Sequence, residues 1–449
     1  MRIPKLNLWH KTLIVLVIAL PTAFYVFRTD GRVSLRFEPS VTPQSAKPAT
    51  YQVSNSSSPD SLTEYLGNQL LQFMRKNGLR GGVNVAISKG GRLTFAKGFG
   101  YSDLEDSTLM EPHNVMRVAS VSKLITAVAV MRLVEQGKLF LDQKVFGPVG
   151  ILNDDIYSVF HDSRMRNITV RHLLNHSGGW TTRYGDPMFM PQSIETYMAC
   201  GLPVSIEDII RFMQCKSMHF APGSVSVYSN FGYGILGEVV EKAAGMPYED
   251  YVLSEVFYPL GIYDAHLGYS HKEERLPSEV AYYEPDTASL VADYAEKGRM
   301  SRRAYGGSDI HTLGSAGGWV VSPVDLVKLM LAIDGFASVP DILSEESIGK
   351  MTDPHSYFDP LGWRKVIEGF WFRTGTLSAT SAALCRRPDG ICFAAVLNSS
   401  SGSLGPNLAI ALTNKMNELI NRLPYWPEED LLAGDEAWNA YKAINSAGR

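Results

Sequence analysis

Cysteine is scarce in this chain: four in 449 residues, at positions 200, 215, 385 and 392, with no C-x-x-C pair. A thiolate zinc site is therefore not expected. No metal site is read from the ten histidines, and no cofactor is expected. Basic blocks are missing too, since the formal net charge is -4 and Lys and Arg cluster only in short pairs. That argues against nucleic acid as a partner. No internal repeat is present. Charged residues make up 20% and hydrophobic residues 45%, an ordinary globular balance that speaks against disorder. A chain of 449 residues exceeds one small domain and suits a large two-part unit.

One stretch lacks charge altogether: residues 12–27, TLIVLVIALPTAFYVF. Arg2, Lys5 and Lys11 precede it, and the first acidic residue is Asp30. Basic residues before an apolar run put the N-terminus in the cytoplasm and the remainder outside. The run is short against the roughly 17–25 residues of a full span, so a cleaved signal peptide competes with an uncleaved anchor. Pro21 sits at the -3 position of the cleavage candidate at Ala23, which favours the anchor. The expected order is a short cytoplasmic N-terminus (1–11), a transmembrane anchor or signal segment (12–28), a Ser/Pro/Thr-rich linker (29–60), the main folded domain (61–425) and a C-terminal tail (426–449). The membrane is thus an expected partner through the N-terminal segment. The folded domain is expected outside the cytoplasm, in a bacterial periplasm, or secreted after signal cleavage.

Within the domain, Leu66, Leu70, Phe73 and Met74 recur at helical period. GGVNVAISKGGRLTFAKGFGYSDL reads as a hairpin turning at Lys-Gly-Gly. SVSKLITAVAVMRLVEQGKL reads as a helix that is apolar on nearly all faces, hence buried, and that ends at Gly137. Residues 140–310 mix helical segments with Gly/Pro-rich loops. Ser322 caps a further helix with Pro323 in its first turn. SAALCRRPDGICFAAVLNSS reads as two strands around a Pro-Asp-Gly turn, and an amphipathic helix follows. Strands early and late with helices between them predict an α+β fold: one antiparallel sheet built from both chain ends, flanked by terminal helices, with an inserted mainly helical subdomain. Cys385 and Cys392 flank the turn and are read either as a cross-hairpin disulfide or as two buried thiols.

The chemistry-bearing pattern is S-x-x-K at Ser120-Val-Ser-Lys123, opening the apolar helix. One turn on, Lys123 lies on nearly the same face as Ser120. A helix start points N–H groups and positive potential at the serine, and a desolvated lysine can activate it. A second string, Ser347-Ile-Gly-Lys350, carries no weight, because a glycine interrupts it and MTDPHSY follows. Downstream come Tyr228-Ser-Asn230 and then Arg373-Thr374-Gly375.

S-x-x-K, Y-x-N and basic-T-G in that order resemble the penicillin-recognising serine hydrolases, the superfamily of class C β-lactamases and D,D-peptidases with its esterase branch. The resemblance spans about residues 61–420 and extends to ITVRHLLNHSGGW and SAGGWVVSPVDL. It implies the β-lactamase/transpeptidase-like fold and an acyl-enzyme on Ser120. Lys123 and Tyr228 would share the base role, Tyr228 would protonate the leaving group, and Asn230 would hold Lys123 and a substrate carbonyl. The N–H groups of Ser120 and Thr376 would bind the oxyanion, and Arg373 would supply positive potential. Arg373 departs from the Lys or His usual there, and arginine does not release a proton at physiological pH.

The implied function is that of a membrane-tethered, exported serine hydrolase acting on peptide amides of the D-Ala-D-Ala type, esters or β-lactams. The alternative is an inactive member that binds a ligand or partner. Plain structural roles stand beside each assignment: a helix cap for Ser120, a core tyrosine for Tyr228 and a strand arginine for Arg373. His176 and Trp180 are read first as packing and turn residues and second as cleft lining.

Overall fold

The computed structural model describes residues 53–353 and 355–446, together with two short strands, Arg28–Thr29 and Arg32–Val33. The chain divides into two units, 1–50 and 51–449. In the first, the two short strands pair antiparallel. The apolar run 12–27, expected as an anchor or signal, lies outside the described residues. Among the described residues no helix is long and apolar enough to cross a membrane.

The second unit opens with helix α1 (Asp60–Lys76), whose Leu62, Leu66, Leu70 and Met74 form one buried stripe at helical spacing. Each such side chain contributes about 1.5–3 kcal/mol by leaving water. Strands β1 (Gly82–Lys89), β2 (Arg92–Asp103) and β3 (Thr108–Leu109) follow. The chain then leaves the sheet for α2 (Ser122–Glu135), α3 (Asn230–Ala244), α4 (Ile310–Gly317) and α5 (Pro323–Leu331). It returns as β4 (Lys365–Ile367), β5 (Phe370–Leu377), β6 (Thr380–Arg386) and β7 (Ile391–Leu397), and closes with α6 (Leu408–Asn421) and α7 (Glu436–Ser446).

The seven strands order as β4-β5-β6-β7-β1-β2-β3, all neighbours antiparallel. The sheet is thus assembled from both ends of the chain, the expected α+β arrangement. Its two faces bury separate cores, because side chains alternate along a strand. Val83, Val85 and Ile87 face α1 and α6, with Leu412 and Met416. Ala86 and, on β7, Ala394 and Val396 face the α5 side.

That alternation decides the fate of Cys385 and Cys392. Cys385 pairs with Phe393, and Cys392 pairs with Arg386, so the two cysteines differ by one position in register. Cys385 joins the α1/α6 core and Cys392 the opposite one. Both are free and buried, which corrects the disulfide option.

Helix α2 is buried on every side from Ser122 to Met131 and again at Leu133, and Gly137 beyond its end takes φ +69°. In α5, Ser322 accepts from the Asp325 N–H and Pro323 occupies the first turn, as expected from sequence. The segment from 426, expected as a tail, packs onto the domain. Trp438 is fully buried, Leu431 N–H donates to the Leu93 carbonyl, and Asp435 pairs with Lys328 at 2.6 Å.

Candidate active site

Ser120 is positioned by three elements. It stands in a short 3-10 turn, Ala119–Val121, just ahead of α2. The sequence places it at the helix start, and the structure sets it in the preceding turn. Ala119 adopts φ +49°, a conformation that costs a non-glycine residue about 1 kcal/mol or more. Strand Trp319–Val321 anchors the turn: the Trp319 carbonyl accepts from Val118 N–H, and Ser122 Oγ accepts from Trp319 N–H. Strand β5 then passes close beside it. A Cβ added at Gly375 would lie 2.1 Å from the Val118 carbonyl oxygen and 3.0 Å from the Ser120 nitrogen. Only glycine permits that approach.

The three motifs meet here. Ser120 Oγ and Tyr228 Oη are 2.7 Å apart, and Lys123 Nζ donates to Ser120 Oγ at 3.3 Å. Lys123 also donates to Asn230 Oδ1 at 2.6 Å and to the Ala316 carbonyl of α4. Tyr228 Oη is 3.2 Å from Asn230 Oδ1. Ser229 caps α3 by accepting from Gly232 N–H, so Tyr228 and Asn230 flank the helix start.

Lys123 is fully buried, and burial is the main cause that lowers its pKa to about 8. The charge of Arg373 pushes the same way, while Tyr228 and Asp186 oppose it. Burial would raise the pKa of Tyr228, but Lys123 first and then Arg373 outweigh it, so this phenol is more acidic than usual.

Arg373 sits on β5 and is almost wholly buried, at 2% exposure. Its Nε donates to the Ser120 carbonyl at 2.8 Å, one terminal nitrogen donates to the Trp363 carbonyl at 3.3 Å, and the other lies 3.5 Å from Tyr228 Oη. The guanidinium braces the Ser120 turn and holds a positive charge against the phenol.

A cavity of about 280 Å³ opens onto these groups. Ser120, Tyr228, Asn230, Arg373, Thr374 and Thr376 line its polar side. Phe189, Leu313, Leu377 and Ile410 supply apolar wall, and the exposed Arg364 adds a second cation.

Some participants carry no motif. The His176 ring lies 4.7 Å from that of Tyr228, and its Nδ1 accepts from Ser229 N–H. Burial, then Arg373 and Lys123, hold its pKa well below the usual histidine range, so it is neutral. Trp180 packs edge-on against Phe231. Asp186 accepts from Asn230 Nδ2 at 2.7 Å, and burial raises its pKa. Its only sequence signal was Asp-Pro, a turn opener. His172 and His176 stand four residues apart, a metal-pair spacing if both rode one helix. The helix Val170–Leu174 ends before His176, and His172 Nδ1 instead accepts from the N–H of Thr169, the residue that caps its start. Among the described residues no group of three His, Cys, Asp or Glu could hold a metal.

A family model described as Beta-lactamase matches residues 68–417. The chain is 25% identical over 289 residues to the putative penicillin-binding protein PbpX of Bacillus subtilis, covering 64% of this chain and 62% of that one. It is 30% identical over 199 residues to esterase EstB of Burkholderia gladioli, covering 43% and 48%. The match thus spans less than two thirds of either relative. Among solved structures, D-amino acid amidase from Ochrobactrum anthropi in complex with D-phenylalanine superposes with a TM-score of 0.62 at 21% identity, over 80% of this chain and 98% of that one. That likeness concerns the fold.

Proposed function

The chain belongs to the β-lactamase family, and from that premise we propose that it is an exported, membrane-tethered serine hydrolase that forms an acyl-enzyme on Ser120 and cleaves peptide amides or esters. The observation that carries this reading is the contact of Ser120 Oγ with Tyr228 Oη at 2.7 Å, beside a buried Lys123 and facing the cavity. A serine hydroxyl is a weak nucleophile until a neighbouring base accepts its proton.

The shorter contact supports Tyr228 as the direct acceptor, with Lys123 at 3.3 Å as the other half of a pair that must lose one proton before it can take the serine's. The two groups titrate as a pair. Ser120 Oγ attacks the carbonyl carbon, and the oxyanion that forms is met by the N–H groups of Ser120 and Thr376. Tyr228 passes the proton to the leaving amine or alcohol. Water then cleaves the acyl ester by the same route in reverse. Arg373 serves by its charge beside Tyr228, from a guanidinium whose Nε and one terminal nitrogen hold the Ser120 and Trp363 carbonyls. Arg373→Ala is expected to lower turnover more than it raises KM, and equal kinetics would remove it from the site.

The names of the relatives, a penicillin-binding protein and an esterase, support amides and esters as substrate classes. Export and tethering are supported by the uncharged run 12–27 behind Arg2, Lys5 and Lys11. Partition of the full chain with sedimented membranes tests that part.

The decisive experiment exposes the protein to a fluorophosphonate and to a penicillin and reads intact mass. The expected result is an adduct that disappears in Ser120→Ala. No adduct with either reagent would overturn the reading. Rates on a nitrophenyl ester, a cephalosporin and a D-Ala-D-Ala peptide then choose the branch.

A further inference from the structure

Asn230 carries two demands that its side chain can meet in only one orientation. Its Oδ1 accepts from Lys123 Nζ at 2.6 Å and lies 3.2 Å from Tyr228 Oη. Its Nδ2 donates to Asp186 Oδ2 at 2.7 Å. An asparagine amide keeps its shape when rotated by half a turn, so packing alone does not choose between the two orientations. The rotated form would set an NH2 donor against the lysine ammonium.

We propose that Asp186 is a positioning residue of this hydrolase, fixing the Asn230 amide so that its oxygen faces Lys123. The proposal rests on the acyl-enzyme reading above. A carboxylate only accepts, so it selects the NH2 end of Asn230 and leaves the oxygen for the lysine. Asp186 is itself held. Its Oδ1 accepts from Met188 N–H and caps the turn Pro187–Phe189, and Phe189 lines the cavity. The proline that follows restricts the backbone on which the carboxylate is presented.

Asp186 also brings charge. Ionisable groups around Lys123 are Tyr228, Arg373 and Asp186, with neutral His176 and the ring of Tyr233 nearby. Arg373 disfavours the ammonium, while Tyr228 and Asp186 favour it. One amide away from Lys123, Asp186 offsets part of the arginine's field and keeps the base from losing too much basicity.

The test is the rate of fluorophosphonate labelling of the full chain, followed against pH by intact mass. Asp186→Ala frees Asn230 to rotate and is expected to slow labelling roughly 10- to 100-fold. Asp186→Asn keeps the shape and an acceptor oxygen but removes the charge. The neutral base is then reached at lower pH, so the acid limb shifts down by roughly 0.5 unit. In an Asn230→Ala background, Asp186→Ala is expected to add less than about twofold, since the two act as one unit. Wild-type labelling rates with an unmoved acid limb in both Asp186 variants would overturn the proposal. So would an undiminished effect in the Asn230→Ala background, which marks mere support of the fold. A wild-type protein that takes no label overturns the acyl-enzyme reading instead, and the proposal with it.

Discussion

The chain writes S-x-x-K twice, and the two copies meet opposite fates. Ser120 and Lys123 sit in a strained turn and a fully buried helix, with the lysine amine held by Asn230 and Ala316. Ser347 and Lys350 lie on the seven-residue helix Glu345–Met351. There Ser347 N–H and Oγ both engage Ser344, the residue that caps this short helix. Lys350 is 42% exposed and pairs with Glu346 at 2.6 Å. The same four-residue string gives a hydrogen-bonded serine–lysine pair in one place, and a buried serine on a cap with a solvated lysine in the other. What separates them is desolvation of the amine and the partners brought from distant segments, neither of which the string contains.

The comparison breaks most sharply at the serines. Ser120→Ala is expected to lower hydrolysis by roughly 10⁴-fold or more, while Ser347→Ala leaves it unchanged. An active Ser120→Ala protein would mean that the wrong copy had been chosen. The lysines come next. Lys123→Ala is expected to cost roughly 10²- to 10⁴-fold in kcat, against no change for Lys350→Ala and a stability change of about 0.5 kcal/mol or less. Kinetics and thermal melts of the pair decide it.

The pH profile sharpens the contrast further. With Lys123 lowered to about 8, its neutral form gains population as pH rises through that value. Esterase activity should therefore climb along an acid limb belonging to the Lys123–Tyr228 pair, and Lys350→Ala should leave that limb in place. A flat profile between about pH 7 and 9, on the order of one unit either side of the limb, would count against a titrating lysine. The smallest expected effect lies at a glycine of the second string. Gly349, inside the second string, has nothing within 4 Å of an added Cβ, so Gly349→Ala should be neutral or stabilising by up to about 1 kcal/mol. Gly375→Ala, by contrast, would drive a methyl into the Val118 carbonyl and should unseat the Ser120 turn. Melting temperature and labelling rate together separate the two.

Much of this was legible in the sequence. The two-ended sheet, the buried α2, the Ser322-capped helix and the hairpin around Pro-Asp-Gly all followed from periodicity and turn chemistry, which are local properties. The residues of the three motifs were named from their order, and the structure brings Ser120, Lys123, Tyr228, Asn230 and Arg373 within hydrogen-bonding reach of one another. Other features were not legible. Asp186 reaches the site through a loop 44 residues from its partner Asn230, with no repeat or spacing to betray it. The helix at 345 was passed over because a glycine sits inside it, yet the Ser344 cap and its first-turn glutamates hold it. The cysteines looked adjacent across a turn, and only the register showed a one-residue offset that sends them to opposite faces. The engagement of the Arg373 guanidinium with the Ser120 and Trp363 carbonyls is likewise a tertiary fact, since residue type gives charge but not who receives the hydrogen bonds.

The order of the sheet has a temporal consequence. Strand β7 pairs with β1, so the first strands acquire their neighbour only after nearly the whole domain has been made. Arg373 lies 253 residues from the serine whose carbonyl it grips. Contacts of such separation form slowly, because a long loop must close before they repay its entropy. A growing chain would therefore carry Ser120 and Lys123 early, while the contacts from Arg373 wait for the final hairpin to dock. The closed constellation around Ser120 is in this sense a report that folding has finished.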